Sequence, residues 1–291
     1  LSYSDLFLNP EPNVSYRVDG KKPICKVFGV PYDATSSYKP GSRFGPNALR
    51  EAFMKIEVYD PELDVDAEKL PIEDLGNLQM TSTPQDLVDE VSKVTEEIVE
   101  DGCVPAVIGG EHTLTYGTFS AMPRDTHLLV FDAHFDLRSN LYGWELGHGT
   151  FLRRLAEKIG YEKVIHVGGR SASKEEWGLV KSEKVKTILS KEIGRSKYLD
   201  EFRYLMTIPK KLYVSLDLDI LDPSAMPGTG TPEPGGITSK ELLSMLEILK
   251  GKEVVGFDVV ELNPMVDPYG ISAATAAKMF SMLLSVVSLM K

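Results

Sequence analysis

Residues 128–136 read Leu-Leu-Val-Phe-Asp-Ala-His-Phe-Asp. An unbroken apolar run stops at Asp132 and is followed by His134 and Asp136. Continuous apolar residues without polar alternation describe a strand covered on both faces, as in a parallel sheet. The polar residues that follow stand at i, i+2 and i+4. In an extended chain that spacing sends their side chains to one side. The same transition recurs elsewhere. Residues 104–108 run into Gly109-Gly110-Glu111-His112, residues 212–216 into Asp217-Leu218-Asp219, and residues 253–257 into Asp258-Val259-Val260-Glu261.

Outward from these motifs, apolar runs at 24–30, 127–131 and 163–167 predict further strands, with weaker candidates at 70–74 and 185–189. Helical patterns lie between them and have readable starts. Thr83 stands before Pro84 and Asp86, and Ser173 with Glu176 and Thr238 with Glu241 form capping boxes. The alternation predicts an α/β fold, a parallel sheet of about eight strands with helices on both faces. No linker or repeat divides the chain, so residues 23–291 read as a single catalytic domain. Residues 1–22 fall outside the alternation and read as an N-terminal arm, over a neighbour or frayed.

The composition excludes several classes. Of the 291 residues, 42% are apolar, ample for one core, and 26% are charged. The net charge of −11 lacks the basic footprint that nucleic acid requires and is compatible with a cationic substrate. Cys25 and Cys103 lie in apolar segments, as reduced core thiols do. No secretory signal is visible at the start, so a cytoplasmic location is expected. Residues 271–290 are apolar enough to suggest a membrane span, but serines and Lys278 interrupt them. A helix in the core or in a subunit interface is expected instead.

In open parallel sheets, ligands collect beyond the carboxyl ends of the strands. The carboxylates of Asp132, Asp136, Asp217 and Asp219, crowded with His112 and His134, would repel and desolvate at great cost without a cation. One divalent ion leaves excess negative charge, and two ions sharing carboxylates balance it better. Oxygen and nitrogen donors without thiolate favour Mn²⁺ over a structural Zn²⁺ site. His148, between Gly147 and Gly149, is expected on exposed, mobile backbone. Its setting fits an ordinary loop histidine as well as a proton shuttle. His127 and His166, in strands, read as satisfied structural histidines. The Pro- and Gly-rich residues 221–236 form a shaped loop that is expected to wall the site.

At these residues the sequence resembles the ureohydrolase family of arginases, agmatinases, guanidinobutyrases and formiminoglutamases. The resemblance is carried by GGEHT, DAHFD, HGT, SLDLDILDPSAMPGTGTPEPGG and DVVELNP, with GVPYDATSSYKPGSRFGPNALR upstream as a substrate-side loop. It implies a three-layer α/β/α sandwich around an eight-stranded parallel sheet, with two Mn²⁺ per subunit in a homo-oligomer, a trimer or hexamer. By motif, one ion falls to His112, Asp132, Asp136 and Asp217, and the other to Asp132, His134, Asp217 and Asp219. Asp132 and Asp217 would bridge. The resemblance places a proton shuttle at His148 and a carboxylate for the substrate guanidinium at Glu261. Asp219 would pass a proton from the nucleophile to the leaving amine.

Glu111 and Thr113 stand where the family usually has Asp and Ser. Leu137-Arg138 replaces the segment with which arginases hold the amino-acid end of arginine. HGT and TPEPGG look like agmatinases, so agmatine, cleaved to putrescine and urea, is the expected substrate. Arg138 as a substrate-binding residue keeps guanidino acids in contention. The rival readings are arginase, guanidinobutyrase or formiminoglutamase activity, a single-metal deacetylase, and a non-catalytic scaffold.

Overall fold

The apolar runs become the eight parallel strands of one sheet. They are β1 (Cys25–Val30), β2 (Ile72–Leu78), β3 (Val104–Gly109), β4 (Thr126–Phe131), β5 (Val164–Val167), β6 (Lys186–Ile188), β7 (Lys211–Asp217) and β8 (Glu253–Val260). The computed structural model describes residues 2–9, 14–15, 20–79 and 81–290. In space the strands run β2-β1-β3-β8-β7-β4-β5-β6. β2 and β3 flank β1 on opposite sides, the chain restarts at β4 and runs outward through β5 to β6, and β7 and β8 fill the gap between β4 and β3. The four strand ends that carry polar motifs are therefore the four central ones, at the topological switch where such sheets bind ligands.

Helices α1 (Gly45–Phe53), α2 (Pro84–Glu100), α3 (Leu114–Ser120), α4 (Phe151–Ile159), α5 (Lys174–Ser182), α6 (Tyr198–Leu205), α7 (Ser239–Glu247) and α8 (Ile271–Ser288) cover the two faces. Leu49, Phe202, Leu242 and Phe280 bring α1, α6, α7 and α8 onto one face. Phe119, Phe151, Val180 and Leu87 bring α2 to α5 onto the other. The three layers are thus α/β/α. The predicted starts hold. Thr83 accepts from Asp86 N, and Ser173/Glu176 and Thr238/Glu241 close both bonds of their capping boxes.

Helix α8 is long and apolar enough to cross a bilayer, yet 72% of it is buried inside the fold. Phe280 packs against Phe53 of α1 and Phe257 of β8, with ring centroids 5.9 and 5.5 Å apart. Its apolar length thus builds the chain's own core. Cys25 and Cys103 are buried free thiols.

Of the N-terminal arm, residues 1, 10–13 and 16–19 lie outside the described residues. The described part is tied to the sheet. Leu8–Asn9 adds a short antiparallel edge strand, with Leu8 opposite Leu78 of β2. Val14 N donates to Asp74 Oδ2 at 2.9 Å, and Ser15 Oγ accepts from Asp74 N at 2.8 Å.

Asp74 is also the partner of Arg50, a guanidinium fully buried on α1. Nε and Nη2 of Arg50 donate to the two Asp74 oxygens at 2.8 Å each, and Nη2 also reaches Gly76 O at 3.1 Å. Residues 221–236 form the predicted loop. Asp222, at its start, accepts from Gly235 N and Gly236 N near its end, at 2.9 and 3.1 Å, and from Ser224 N and Oγ.

Removing one partner of a buried ion pair strands the other charge, which costs about 3–5 kcal/mol. Urea unfolding of Arg50→Ala is expected to show a loss of that size. A loss below about 1 kcal/mol would make the pair worth no more than a surface bridge. The Asp222 carboxyl is held down, to about 2, first by the Ser224 hydroxyl and amide and then by the Gly235 and Gly236 amides. Its folded pKa lies below the ordinary value, so its stabilisation is full above about pH 5 and is lost as pH falls through about 2. Asp222→Ala should cost roughly 1 kcal/mol, as lost caps do. The gap from the parent should narrow between about pH 5 and about pH 2.5. A gap constant over that range would contradict the assignment.

Candidate metal centre and its cleft

The site begins with glycine. Gly110 N donates to Val30 O and Glu111 N to Tyr32 O, both at 2.8 Å, so the chain leaving β3 lies against the chain leaving β1. A Cβ on Gly110 would stand 2.1 Å from the Tyr32 carbonyl oxygen, and only glycine permits that approach. The next residue but one, His112, is thereby turned over the sheet edge. Its Nδ1 lies 3.3 Å from Asp132, 3.5 Å from Asp136 and 3.2 Å from Asp217. His134 Nδ1 lies 2.8 Å from Asp219 and 3.7 Å from Asp132. All six expected ligands meet. Two donor groups result, His112/Asp132/Asp136 and Asp132/His134/Asp219. Asp132 belongs to both, with Oδ2 toward His112 and Oδ1 toward His134. Asp217 joins the His112 group through Oδ2, while its Oδ1 accepts from Asp219 N.

The residues converge by a different geometry from strand alternation. Strand β4 stops at Phe131, and Asp136 has a left-handed backbone, φ 50°. Asp219 sits in a 3-10 turn, Leu218–Ile220, capped by Asp217. Hydrogen bonds set the angles instead. Asp132 Oδ1 accepts from His134 N at 2.6 Å, and Asp219 Oδ1 from Ala133 N at 3.0 Å.

Electrostatics show what the cluster needs. Burial pushes the Asp136 carboxyl well up, with Asp132 adding to it, and burial, Asp219 and Asp132 do the same to Asp217. Burial opposes ionisation of Asp132 too, but His112 and His134 outweigh it and hold its pKa far below the carboxylate range. Burial disfavours charge on both imidazoles, yet the neighbouring carboxylates raise them well above the usual histidine value. Protons thus fill the place of positive charge. His112 Nδ1 and Asp132 Oδ2 are buried without a hydrogen-bond partner, an expensive condition that a cation removes. The donors fit two divalent cations sharing Asp132.

A hydroxyl chain orients His112 from behind. Its Nε2 lies 2.8 Å from Ser215 Oγ, whose own proton goes to Asp258 Oδ1 at 2.6 Å. Ser215 therefore accepts from Nε2–H, and Nδ1 is the nitrogen turned to the cluster. Thr115 and Tyr213 donate to the other Asp258 oxygen at 2.9 and 2.7 Å. Asp258 is an interior strand residue serving this network, since β8 runs on to Val260; it does not reach the site edge as the sequence motif suggested.

Glu261, next after β8, is 7% exposed and also left-handed, φ 66°. Its N–H donates to Gly110 O and its Oε1 accepts from His112 N, at 2.8 and 2.9 Å. Burial, then the Glu111 charge, pushes it up to about 8. The expectation of an exposed, mobile His148 is corrected. Its ring is half-buried, with Nδ1 3.1 Å from Thr35 Oγ1 and Nε2 3.0 Å from Ser37 Oγ. Burial and the charges of His134 and His112 push it down to about 4. The glycines around it serve close packing. A Cβ on Gly147 would lie 2.9 Å from Thr35 Oγ1.

The expectation that His127 and His166 are satisfied needs a correction too. His166 Nε2 bonds His134 O at 2.7 Å, but Nδ1 of both rings is buried without a partner.

A cavity of about 230 Å³ opens onto the cluster, lined by His134, Asp136, Arg138, His148, Glu176, Asp217, Thr231, Glu233 and Glu261 among others. The 221–236 loop contributes Thr231 and Glu233 and so walls the site. Arg138 Nε stands 3.6 Å from Glu176 Oε2. Glu176 also accepts from Ser173 N and Leu137 N. Glu233 accepts from Ser171 Oγ at 2.9 Å and faces His134 Nε2 at 3.6 Å. Thr35, Ser37, Ser215, Glu176 and Glu233 were not singled out as site residues from sequence. Only the quoted loop motifs that contain Thr35, Ser37, Ser215 and Glu233 pointed near them.

A sequence model of the arginase family matches residues 24–285. The agmatinase of Bacillus subtilis is 38% identical over 279 residues, covering 93% of this chain and 94% of the relative. The human mitochondrial guanidino acid hydrolase is 33% identical, covering 88% and 76%. The crystal structure of the agmatine ureohydrolase of Thermoplasma volcanium superposes with a TM-score of 0.89 at 31% identity, covering 96% of this chain and 95% of that one. Fold, metal-donor set and sequence agree that the chain belongs to the arginase family, whose enzymes are binuclear metal hydrolases acting on C–N bonds.

Proposed function

We propose that this chain is a manganese-dependent agmatinase that cleaves the guanidinium of agmatine to putrescine and urea. The observation that carries the reading is buried Glu261 beside the ligand cluster, lining a cleft whose other carboxylates outside the metal donors, Glu176 and Glu233, outnumber the one guanidinium of Arg138. Agmatine is cationic at both ends and suits such a cleft. The names of the bacterial and archaeal relatives support the same substrate.

His112, Asp132, Asp136 and Asp217 would hold one cation, and Asp132, His134, Asp217 and Asp219 the other. When bound, the pair supplies Lewis acidity that makes a water nucleophilic at neutral pH. The protein does the rest. Glu261 presents a carboxylate to the planar guanidinium and holds its carbon over the cluster. Asp219, fixed by Ala133 N, takes a proton from the attacking water and returns it to the departing amine. His148, neutral in its half-buried setting, exchanges protons between the cleft and solvent. Homo-oligomeric assembly, as trimers or hexamers, belongs to this reading through the family resemblance and is read out by light scattering.

Urea release after Mn²⁺ loading is the direct test, with agmatine, arginine and guanidinobutyrate side by side. Agmatine should be turned over best, and turnover of guanidinobutyrate alone would reassign the tail and give Arg138 a carboxylate to bind. Glu261→Gln should lose about 2–3 kcal/mol of transition-state stabilisation, roughly 30- to 150-fold in kcat/KM, as a charged hydrogen bond does. Unchanged turnover would remove Glu261 from the site.

Metal content gives a separate check. The protein should take up two Mn²⁺ per chain, and Asp136→Ala one. Its activity should fall by more than the roughly tenfold to hundredfold that an outer-shell partner costs. Chelation should lower the melting temperature and Mn²⁺ should restore it, because the cations relieve carboxylate repulsion. One ion per parent chain would revive the single-metal reading.

A further inference from the structure

Thr35 lies on the loop after β1 and belongs to none of the strand-end motifs. It is buried beside Glu111, with 4% and 1% of their surfaces exposed. Its backbone N–H donates to Glu111 Oε2 at 2.8 Å and its hydroxyl to Oε1 at 2.6 Å. Thr113 donates to the same Oε1. A carboxylate only accepts, so the single hydroxyl proton of Thr35 is committed to Glu111. The Thr35 oxygen is left as an acceptor, and two groups of His148 approach it. They are its backbone N–H and its Nδ1, each at 3.1 Å.

The direction of these bonds fixes the ring. Nδ1 must carry the proton that Thr35 accepts. Nε2 then holds the lone pair, near Ser37 Oγ at 3.0 Å, on the side where Ser37 and His148 line the cavity. Gly147 is small enough to let the imidazole come this close.

We infer that Thr35, itself oriented by Glu111, is a positioning residue that sets the Nδ1–H tautomer of His148 and aims its Nε2 lone pair into the cleft. The inference rests on the reading of His148 as the proton-exchanging group. Thr35 reaches the chemistry only through that ring. Its hydroxyl acts as the carboxylate or carbonyl behind a histidine acts elsewhere, by deciding which nitrogen is basic.

The test uses the Mn²⁺-loaded enzyme with agmatine and four variants, Thr35→Val, Thr35→Ser, His148→Ala and the Thr35→Val/His148→Ala double. Thr35→Val removes the hydroxyl at nearly constant volume. It should lower kcat about tenfold or more, a part of what general acid–base groups contribute, with KM and metal content unchanged. Thr35→Ser keeps the hydroxyl and should restore most of the rate. In the His148→Ala background, Thr35→Val should cost nothing further, the non-additivity of residues acting as one unit. An undiminished Thr35→Val loss in that background would overturn the inference and assign Thr35 to the fold or the cluster. Parent-like kcat in Thr35→Val beside a large loss in His148→Ala would overturn it while leaving the shuttle reading intact. Parent-like kcat in His148→Ala would sink both. Thr35→Ala carries the same comparisons if valine is not accommodated.

Discussion

Four carboxylates and two imidazoles meet where the central strands end, and the structure depends on how their charge is neutralised. In a low-dielectric setting, like charges a few ångströms apart cannot all ionise. The shifts within the cluster express that conflict, with Asp136 and Asp217 pushed up while His112 and His134 hold protons. Divalent cations resolve it, so ligand affinity and fold stability become one quantity. The sheet order is what makes the crowding possible. Inserting β8 and β7 between β3 and β4 brings together motifs more than a hundred residues apart in sequence.

The backbone bears part of the cost. Asp136 and Glu261 both adopt left-handed φ values, which cost non-glycine residues of order 1–3 kcal/mol each. Such strain persists only where neighbours over-determine it. Glu261 is held at both ends by Gly110 O and His112 N, and the segment after Asp136 is held by Glu176 on Leu137 N. Two hydroxyl relays add side-chain constraints. Ser215 links His112 to Asp258, and Thr35 links His148 to Glu111. In each, a buried carboxylate fixes the hydroxyl proton, and the hydroxyl fixes an imidazole.

The parallel sheet was legible because two-sided burial leaves a continuous apolar run, and capped helix starts carry a local signature. The six donors were legible because charge directly after such a run has few structural explanations. Geometry was not. Period-two alternation gave the right residues for Asp132, His134 and Asp136 by the wrong construction, since the chain turns left-handed at Asp136. Glycines around His148 suggested mobility, whereas Gly147 admits the Thr35 side chain and Gly149 that of Leu141 at close range. Asp258 looked like the end of its strand because nothing local marks where β8 stops. Thr35 and Ser215 carried no signal of their own, because a hydroxyl's role is decided by partners distant in sequence.

The two ends of the substrate meet unequal physics. Glu261 is nearly enclosed, and a cation paired with it escapes solvent screening, so the guanidinium contact we propose there is strong and directional. At the mouth, Arg138 and Glu233 keep 40% and 38% of their side chains in solvent. Interactions there are screened, and opposite charges lie side by side. Glu176 is already committed to Ser173, Leu137 and Arg138, which offsets the one positive group and leaves Glu233 as the carboxylate facing the tail. In the proposed reading the head group is therefore selected by a buried, strained residue tied into the metal cluster. The tail is selected by the small net charge of an open rim, where one or two substitutions would suffice to change it while the reaction stays the same.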